Sequence, residues 1–301
     1  MSAREPRLER RVLADDQTAL YVRDEQGHTA HPRRDGLTVI LNDGIACDGF
    51  IWKYMRGFLL ERLRVVHWHY RGHGRSAAPR DRSRVLVKDV VSDLDHVRTA
   101  VGDPPCVLIG HSFGCQVALE GFRTRPSTVR GLVLLCGSSG RVTHTFRGTD
   151  ALAQVLPPLI ARVERHPHIA RGLWASVPPA LSLRVATLTG EIDASLMDPK
   201  DLLPYLEHMV DIDLGLFLKM LADAGEHSAE DLLPSIDVPV LVVAGDKDNF
   251  TPPRYAEALA KALPKGELVV LPATHVAPIE QRAVVHERIA AFIDALPDTP
   301  L

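Results

Sequence analysis

Six short apolar runs, each about as long as one β-strand, constrain the fold of this chain more than any other feature. They lie at residues 37–41, 64–68, 106–109, 131–135, 240–244 and 268–271. The runs are continuous and do not alternate with polar residues, which is typical of strands buried on both faces of a parallel sheet. Between the second and third runs, Val87, Val90, Leu94, Val97 and Val101 recur at helical spacing. This order predicts an α/β fold, with a mostly parallel central sheet and helices on both faces.

No strand-like apolar run occurs for some ninety residues before the fifth run. Helix-like apolar stretches take its place, for example residues 152–163 and 202–221. We therefore predict a helical cap, residues 141–233, inserted between two core strands. Residues 1–140 and 234–301 then form the first and second parts of the core. A length of 301 residues suits one enzyme-sized domain with such an insertion.

Composition indicates a globular protein without a strong net charge. Hydrophobic residues make up 46% of the chain, which is incompatible with wholesale disorder. Lys and Arg number 35 and Asp and Glu 38, so the formal net charge is −3. A protein this close to neutral has no overall field that would gather nucleic acid or an anionic membrane. A small-molecule substrate is the expected partner, and the oligomeric state stays open.

The expected compartment is the cytoplasm. The first eleven residues are charged and contain no apolar core, so no secretory signal is predicted. No window approaches the ~20 apolar residues of a membrane span. The cysteines are expected to be free buried thiols, as suits a reducing compartment. They are Cys47, Cys106, Cys115 and Cys136.

A reactive serine is predicted where the third run ends. Residues 110–114 read Gly-His-Ser-Phe-Gly, and residues 116–120 continue as a helix. This is a G-x-S-x-G pattern at a strand-to-helix turn. The turn is so sharp that side chains flanking the serine would collide, hence a glycine on each side. The strain holds the hydroxyl of Ser112 out at the tip of the strand.

A serine hydroxyl needs a base, and the base needs an acid that orients it. Both should follow later strands, in the order Ser, acid, His. Residues 245–253, after the fifth run, contain the carboxylates Asp246 and Asp248. Residues 272–280, after the sixth, contain His275. The order is therefore correct for a catalytic triad.

At this point the chain resembles the α/β-hydrolase superfamily over nearly its whole length. The motifs that carry the resemblance are G-x-x-D-x-x-x-P at Gly245, Asp248 and Pro252, H-x-x-x-x-E at His275 and Glu280, and R-G-x-G-x-S at residues 71–76. The resemblance implies Ser112 as nucleophile, His275 as general base and Asp248 as the orienting acid. Asp246 is the alternative acid, although its place directly after the strand favours binding to the local backbone.

An oxyanion hole needs preorganised N–H donors. The backbone of Phe113, directly after the serine, is one candidate, and Ile45, in the loop after the first run, is the other. Asp43 stands where most of the family has histidine. Its carboxylate either holds this loop by hydrogen bonds or brings negative charge near the oxyanion. Cys115, where the family usually has a small glycine, is expected to pack.

No metal and no cofactor are predicted. Residues 67–73 superficially resemble the H-x-H-x-D-H zinc segment of metallo-β-lactamase-like enzymes. Arg71 stands where the aspartate belongs, however, and Gly72 where the third histidine belongs.

These residues predict a serine hydrolase that cleaves a carboxylic ester or lactone through an acyl-enzyme. Ser112 separates the chain from family members with an aspartate nucleophile, and Val276 from those with lysine or tryptophan after the histidine. The apolar stretch 173–188 favours a small to medium apolar substrate. A non-hydrolytic or C–C-cleaving enzyme and a catalytically idle ligand-binding protein remain the alternatives. Some candidate cap residues are expected to line the pocket and others only to pack: Trp174, Leu181, Leu183, Leu216 and Phe217.

Overall fold

A computed structural model describes residues 8–28, 36–144 and 146–297. Residues 1–7 of the charged amino-terminal segment lie outside this part of the chain, as do residues 298–301 of the predicted second core segment. Within these ranges, none of the helices combines the length and the hydropathy that a membrane span requires.

One eight-stranded sheet forms the centre of the molecule. Its strands are β1 (Leu8–Leu13), β2 (Ala19–Glu25), β3 (Thr38–Asn42), β4 (Arg64–Trp68), β5 (Cys106–His111), β6 (Val129–Leu135), β7 (Val240–Gly245) and β8 (Gly266–Leu271). The spatial order is β1-β2-β4-β3-β5-β6-β7-β8. Strands β3 to β8 pair in parallel, whereas β2 pairs antiparallel with both β1 and β4. The six predicted strands and the mostly parallel sheet are confirmed.

Strands β1 and β2 were not predicted, because they lack a continuous apolar run. They form an antiparallel hairpin at one edge of the sheet. Its polar residues form ion pairs: Asp24 on β2 accepts from Arg10 at 2.6 Å and from Arg64 at 2.8 Å. An edge strand with charged side chains of this kind has the pattern of a loop when read by apolar content alone.

Helices cover both faces of the sheet. Those of the core are α1 (Met55–Leu59), α2 (Val87–Ala100), α3 (Phe113–Thr124), α9 (Pro253–Ala262), α10 (Ala277–Glu280) and α11 (Arg282–Ala295). Neighbouring residues of β5 enter opposite hydrophobic clusters: Leu108 packs in one with residues of α2 and α3, and Val107 in the other with residues of α1 and α11. Burial on both faces explains the continuous apolar runs.

A helical segment lies between β6 and β7, where the cap was predicted, and it is called the cap below. Its helices are α4 (Ala151–Arg165), α5 (Pro167–Ala175), α6 (Pro179–Leu188), α7 (Leu203–Asp211) and α8 (Leu214–Glu226). The helix-like stretch 202–221 is divided between α7 and α8, because the Asp213 carboxylate accepts from the Leu216 N–H at 3.1 Å and begins a new helix. The exact domain boundaries, at residues 140/141 and 233/234, stay predictions.

Candidate active site

Ser112 lies at the sharp turn between β5 and α3. Its φ of 55° and ψ of −119° are a strained conformation for a residue with a side chain. Two backbone hydrogen bonds hold it: the Ser112 N–H donates to Leu135 on β6, and the Cys115 N–H donates to Ser112, both at 2.9 Å. The turn is therefore fixed to the neighbouring strand and to the first turn of the helix.

The glycines on either side of this serine are required by space. A Cβ at Gly110 would lie 2.2 Å from the Gly114 carbonyl oxygen. A Cβ at Gly114 would lie 2.1 Å from the Asn42 carbonyl oxygen on β3. Backbone atoms cannot move aside as a flexible side chain can, so the elbow accepts no larger residue at either position.

Asp248 and His275 are in direct contact. The His275 Nδ1–H donates to Asp248 Oδ2 at 2.8 Å. The carboxylate also accepts from the N–H groups of Phe250 and Thr251, at 2.8 and 2.9 Å, and from the Thr251 hydroxyl at 2.8 Å. Burial by itself raises the pKa of Asp248, but His275 and the Thr251 donors more than offset it, so the pKa lies below its ordinary value. Asp248 is therefore a buried carboxylate held in its charged form.

The other acidic residues near His275 have backbone partners. Asp246 is exposed and accepts from the Ala273 N–H at 3.2 Å, as expected for a residue that binds the turn. Glu280 is buried and accepts from the Thr274 N–H at 2.6 Å and from the Thr274 hydroxyl at 2.9 Å. It thereby anchors the loop just before His275. It also accepts from the Asp193 N–H of the cap at 2.8 Å, which joins this loop to the cap.

His111 is a site residue that the sequence analysis missed. It is buried beside Ser112, and its Nε2 donates to the His275 carbonyl at 3.0 Å. Burial lowers the pKa of His111 to about 3, and the neighbouring His275 adds to this effect. The ring is therefore neutral at physiological pH, with its proton on Nε2. The only sequence signal was its place inside the G-x-S-x-G pattern.

Asp43 is fully buried below the loop that contains Gly44 and Ile45. Its carboxylate accepts from Trp52 Nε1 at 2.5 Å and contacts His67 Nε2 at 2.9 Å. Its carbonyl oxygen accepts from the Tyr70 hydroxyl at 2.7 Å. Of the two roles considered for Asp43, these contacts favour holding the loop, since the carboxylate is engaged with Trp52 and His67.

The cysteines and the histidine-rich segment make local contacts. All four cysteines are buried free thiols, and burial raises the pKa of Cys115, which disfavours its reactive thiolate. His69 accepts from the Arg75 N–H at 2.8 Å, and His73 Nδ1 lies 2.9 Å from the Arg71 carbonyl. Among the described residues, no group of three or more His, Cys, Asp or Glu side chains could hold a metal ion.

A cavity of about 370 Å³ lies between the core and the cap. Ser112, His275 and Ile45 all line it, and Asp248 lies behind His275. The remaining wall is mostly apolar: Phe50, Val177, Ala186, Ile192, Leu202, Leu206, Met209, Val210, Phe250 and Val276 contribute to it. The volume lies within the usual range of small-molecule sites, roughly 300–1,000 Å³.

Of the five candidate cap residues, Trp174 lines this cavity. Leu183 packs against the hydrophobic cluster that contains Val107, and Leu216 belongs to the cluster that contains Leu108. Phe217 stacks on Trp174, with ring centroids 6.4 Å apart. Leu181 is 53% exposed. Most of the set therefore packs or faces solvent.

Two known bacterial proteins are similar in sequence to this chain. LipV of Mycobacterium tuberculosis, named a lipase, is 33% identical over 165 residues, or 53% of this chain and 57% of LipV. The polyketide synthase ThaQ of Burkholderia thailandensis is 28% identical over 275 residues, or 86% of this chain. The chain spans 12% of the length of ThaQ and 57% of that of LipV.

A solved esterase from Exiguobacterium antarcticum has the same fold. Its TM-score is 0.75 at 20% identity, and the match covers 96% of this chain and 100% of the esterase. A family model described as the alpha/beta hydrolase family matches residues 39–288. Because this match extends over most of the chain, the protein belongs to the alpha/beta hydrolase family.

Proposed function

We propose that this protein is a serine hydrolase that cleaves a carboxylic ester or lactone of a small to medium apolar substrate through an acyl-enzyme. The observation that carries the proposal is the hydrogen bond of 2.8 Å between His275 Nδ1 and the buried carboxylate of Asp248, on the wall of a cavity that Ser112 also lines. The relationship to a lipase and the shared fold with an esterase support the same reaction class.

In the proposed mechanism, Asp248 keeps the proton of His275 on Nδ1, so that Nε2 is free to act as a base. Nε2 takes the proton of the Ser112 hydroxyl as the oxygen attacks the carbonyl carbon. The proton then passes to the leaving alcohol, and the acyl group stays on Ser112. Water, activated by the same imidazole, releases the acid.

The proposed oxyanion hole consists of the backbone N–H groups of Phe113 and Ile45. Phe113 is the first residue of α3, where unpaired N–H groups and the helix dipole favour negative charge. Gly44, next to Ile45, approaches the serine closely, since a Cβ built on it would lie 3.4 Å from Ser112 Cβ. The contacts of Asp43 with Trp52 and His67 give this loop a rigid support.

The apolar cavity wall supports an uncharged substrate. Among its lining residues, Glu191 is the acidic one, and the polar side chains Ser182 and Tyr205 come from the cap. Burial of an apolar acyl group in such a cavity contributes about 0.8 kcal/mol per methylene. A charged acyl group would lose its hydration with little compensation.

Labelling with a fluorophosphonate tests the nucleophile. We expect stoichiometric labelling of the wild type and none of Ser112→Ala. Ser182→Ala is the matched control, because Ser182 lines the same cavity on α6. Labelling that persists in Ser112→Ala, or that disappears in Ser182→Ala, would reject the assignment.

Hydrolysis of p-nitrophenyl butanoate tests the reaction. We expect equal amounts of acid and p-nitrophenol, with both lost in Ser112→Ala. A wild type that is labelled but releases neither product from esters or lactones would favour the C–C-cleaving or non-hydrolytic alternatives. Absence of both labelling and turnover would favour the idle ligand-binding alternative.

A further inference from the structure

A second apolar groove lies on the cap, next to the catalytic cavity. Its volume is about 490 Å³, and it is formed by α4, α5 and the start of α8. Trp174 and Val177 line both the cavity and the groove. The two spaces are therefore neighbours that share one wall.

Four of the apolar side chains along this groove are exposed, Leu159 and Val177 among them. Ile169 is 63% exposed and Leu173 68% exposed, both on α5. This helix has no buried residue among its described side chains. The polar residues of the groove, Arg162 and His166, lie at its α4 side. Exposed apolar side chains gathered along a groove are typical of interaction sites and ligand-binding grooves.

Trp174 forms the partition between the two spaces. Its indole N–H donates to the Met209 carbonyl on α7 at 2.6 Å, and its ring stacks on Phe217 of α8. The side chain is thus held by two cap helices at the boundary of both spaces.

We propose that the groove is the distal subsite for a linear apolar acyl chain that is too long for the catalytic cavity. The inference rests on the proposed function, because the carbonyl end of the chain is held at Ser112. The first part of the chain fills the cavity, and the remainder passes Trp174 and covers Leu173 and Ile169. The substrate range then extends from the small to medium esters of the proposed function, which the cavity holds, to esters of a longer, unbranched acyl group. The wall that the groove shares with the cavity, at Trp174 and Val177, is the reason for choosing the substrate itself as the occupant.

Chain length gives the first test, with p-nitrophenyl butanoate and dodecanoate below its micelle concentration. Each methylene that leaves water changes kcat/KM by about fourfold. We expect Leu173→Asp and Ile169→Asp each to lower kcat/KM for the dodecanoate by about tenfold and to leave the butanoate within twofold. Leu181→Asp and Val185→Asp are matched controls, because both residues are exposed on α6 and line neither space.

The result is overturned if the groove variants behave like the α6 controls, or if both esters lose activity equally. Activity on the butanoate reports the proposed function separately, since this ester does not reach the groove.

A binding measurement in Ser112→Ala tests the groove without catalysis. A long fatty acid brominated at its far end should quench the fluorescence of Trp174. The other two tryptophans, Trp52 and Trp68, are only 1% and 0% exposed. Quenching should disappear in Trp174→Phe and weaken about tenfold in apparent affinity in Leu173→Asp. Absence of quenching in Ser112→Ala, or quenching unaffected by Leu173→Asp, would overturn the subsite whether or not the protein hydrolyses esters.

Discussion

His111 Nε2 donates a hydrogen bond of 3.0 Å to the backbone carbonyl of His275. The residue just before the elbow serine therefore holds the loop that carries the proposed base. The two rings also lie close, with centroids 5.0 Å apart. Because burial lowers the pKa of His111 to about 3, the ring is neutral at physiological pH, and the bond requires the tautomer with its proton on Nε2.

His111 is therefore a positioning residue in the proposed mechanism. We expect His111→Leu to lower kcat on p-nitrophenyl butanoate by about tenfold, since a small displacement of a base is costly. KM should stay within about twofold. His111→Gln keeps an N–H donor and should recover most of the loss. Equal kcat in Leu and Gln variants, with the same loss of stability, would show that His111 only fills space.

The two candidate acids are separable by mutation. Asp248→Ala should lower kcat by about 10⁴-fold, because the imidazole loses the partner that selects its tautomer. Asp246→Ala is the matched control, two residues away in the same loop, and should stay within a few-fold of the wild type. Steady-state kinetics on the butanoate ester measures both. A larger effect of Asp246→Ala would reverse the assignment.

The pKa of Asp248 also predicts how stability depends on pH. Since the folded-state pKa is lowered, the carboxylate stabilises the fold above its unfolded value of about 3.9, and this contribution is lost as pH falls through the folded value. The free energy of unfolding of the wild type, relative to Asp248→Asn, should therefore rise as the pH is raised through the acidic range up to about pH 5. Urea denaturation at several pH values measures it. A fall over the same interval would mean that burial dominates.

Asp43 should contribute to both stability and catalysis. Asp43→Ala leaves the buried Trp52 N–H without its acceptor, which costs about 1–3 kcal/mol of unfolding free energy. The loop with Gly44 and Ile45 loses its support, so kcat should also fall. Asp48→Ala, in the same loop but only partly buried, is the control and should change stability by less than about 1 kcal/mol. If the two variants were equally stable, the Asp43 contacts would not support the loop.

The space around two glycines predicts opposite effects of alanine on the free energy of unfolding. Gly114→Ala places a Cβ against the Asn42 backbone and should lower the unfolding free energy by about 3 kcal/mol or more. Gly57→Ala, in α1, has nothing within 4 Å and should raise it by about 0.5–1 kcal/mol. Chemical denaturation compares the two. A tolerated Gly114→Ala would show that the elbow can relax away from β3.

Much of the core was predictable, because parallel strands that are buried on both faces must be apolar at every position. β5 illustrates this, since each of its residues is buried. The same reasoning failed for β1 and β2, whose charged residues are satisfied by partners distant in the chain, such as Arg64 with Asp24. The same reasoning treated α7 and α8 as one helical stretch, because apolar spacing alone does not show that a new helix begins at Asp213.

Some residues of the candidate site could be predicted from the sequence, and others could not. Motifs and their order were enough to propose Ser112, Asp248 and His275, and the structure brings Asp248 into contact with His275 and places His275 and Ser112 on one cavity. The contributions of His111, Thr251 and Glu280 did not, because each acts through a hydrogen bond to a backbone or side-chain group that only folding brings near. The engagement of the Asp43 carboxylate with Trp52 and His67 was equally beyond the sequence.

The sequence by itself determined the α/β core. It also located the helical segment between β6 and β7 and the residues for which we propose acyl transfer. Local sterics and burial dictate those features, and both are written in residue type and spacing. Tertiary structure alone decided the cavity and the groove beside Trp174, since their walls combine side chains of helices and loops far apart in the chain. Distances between such elements depend on how the cap packs on the core, which no local pattern encodes.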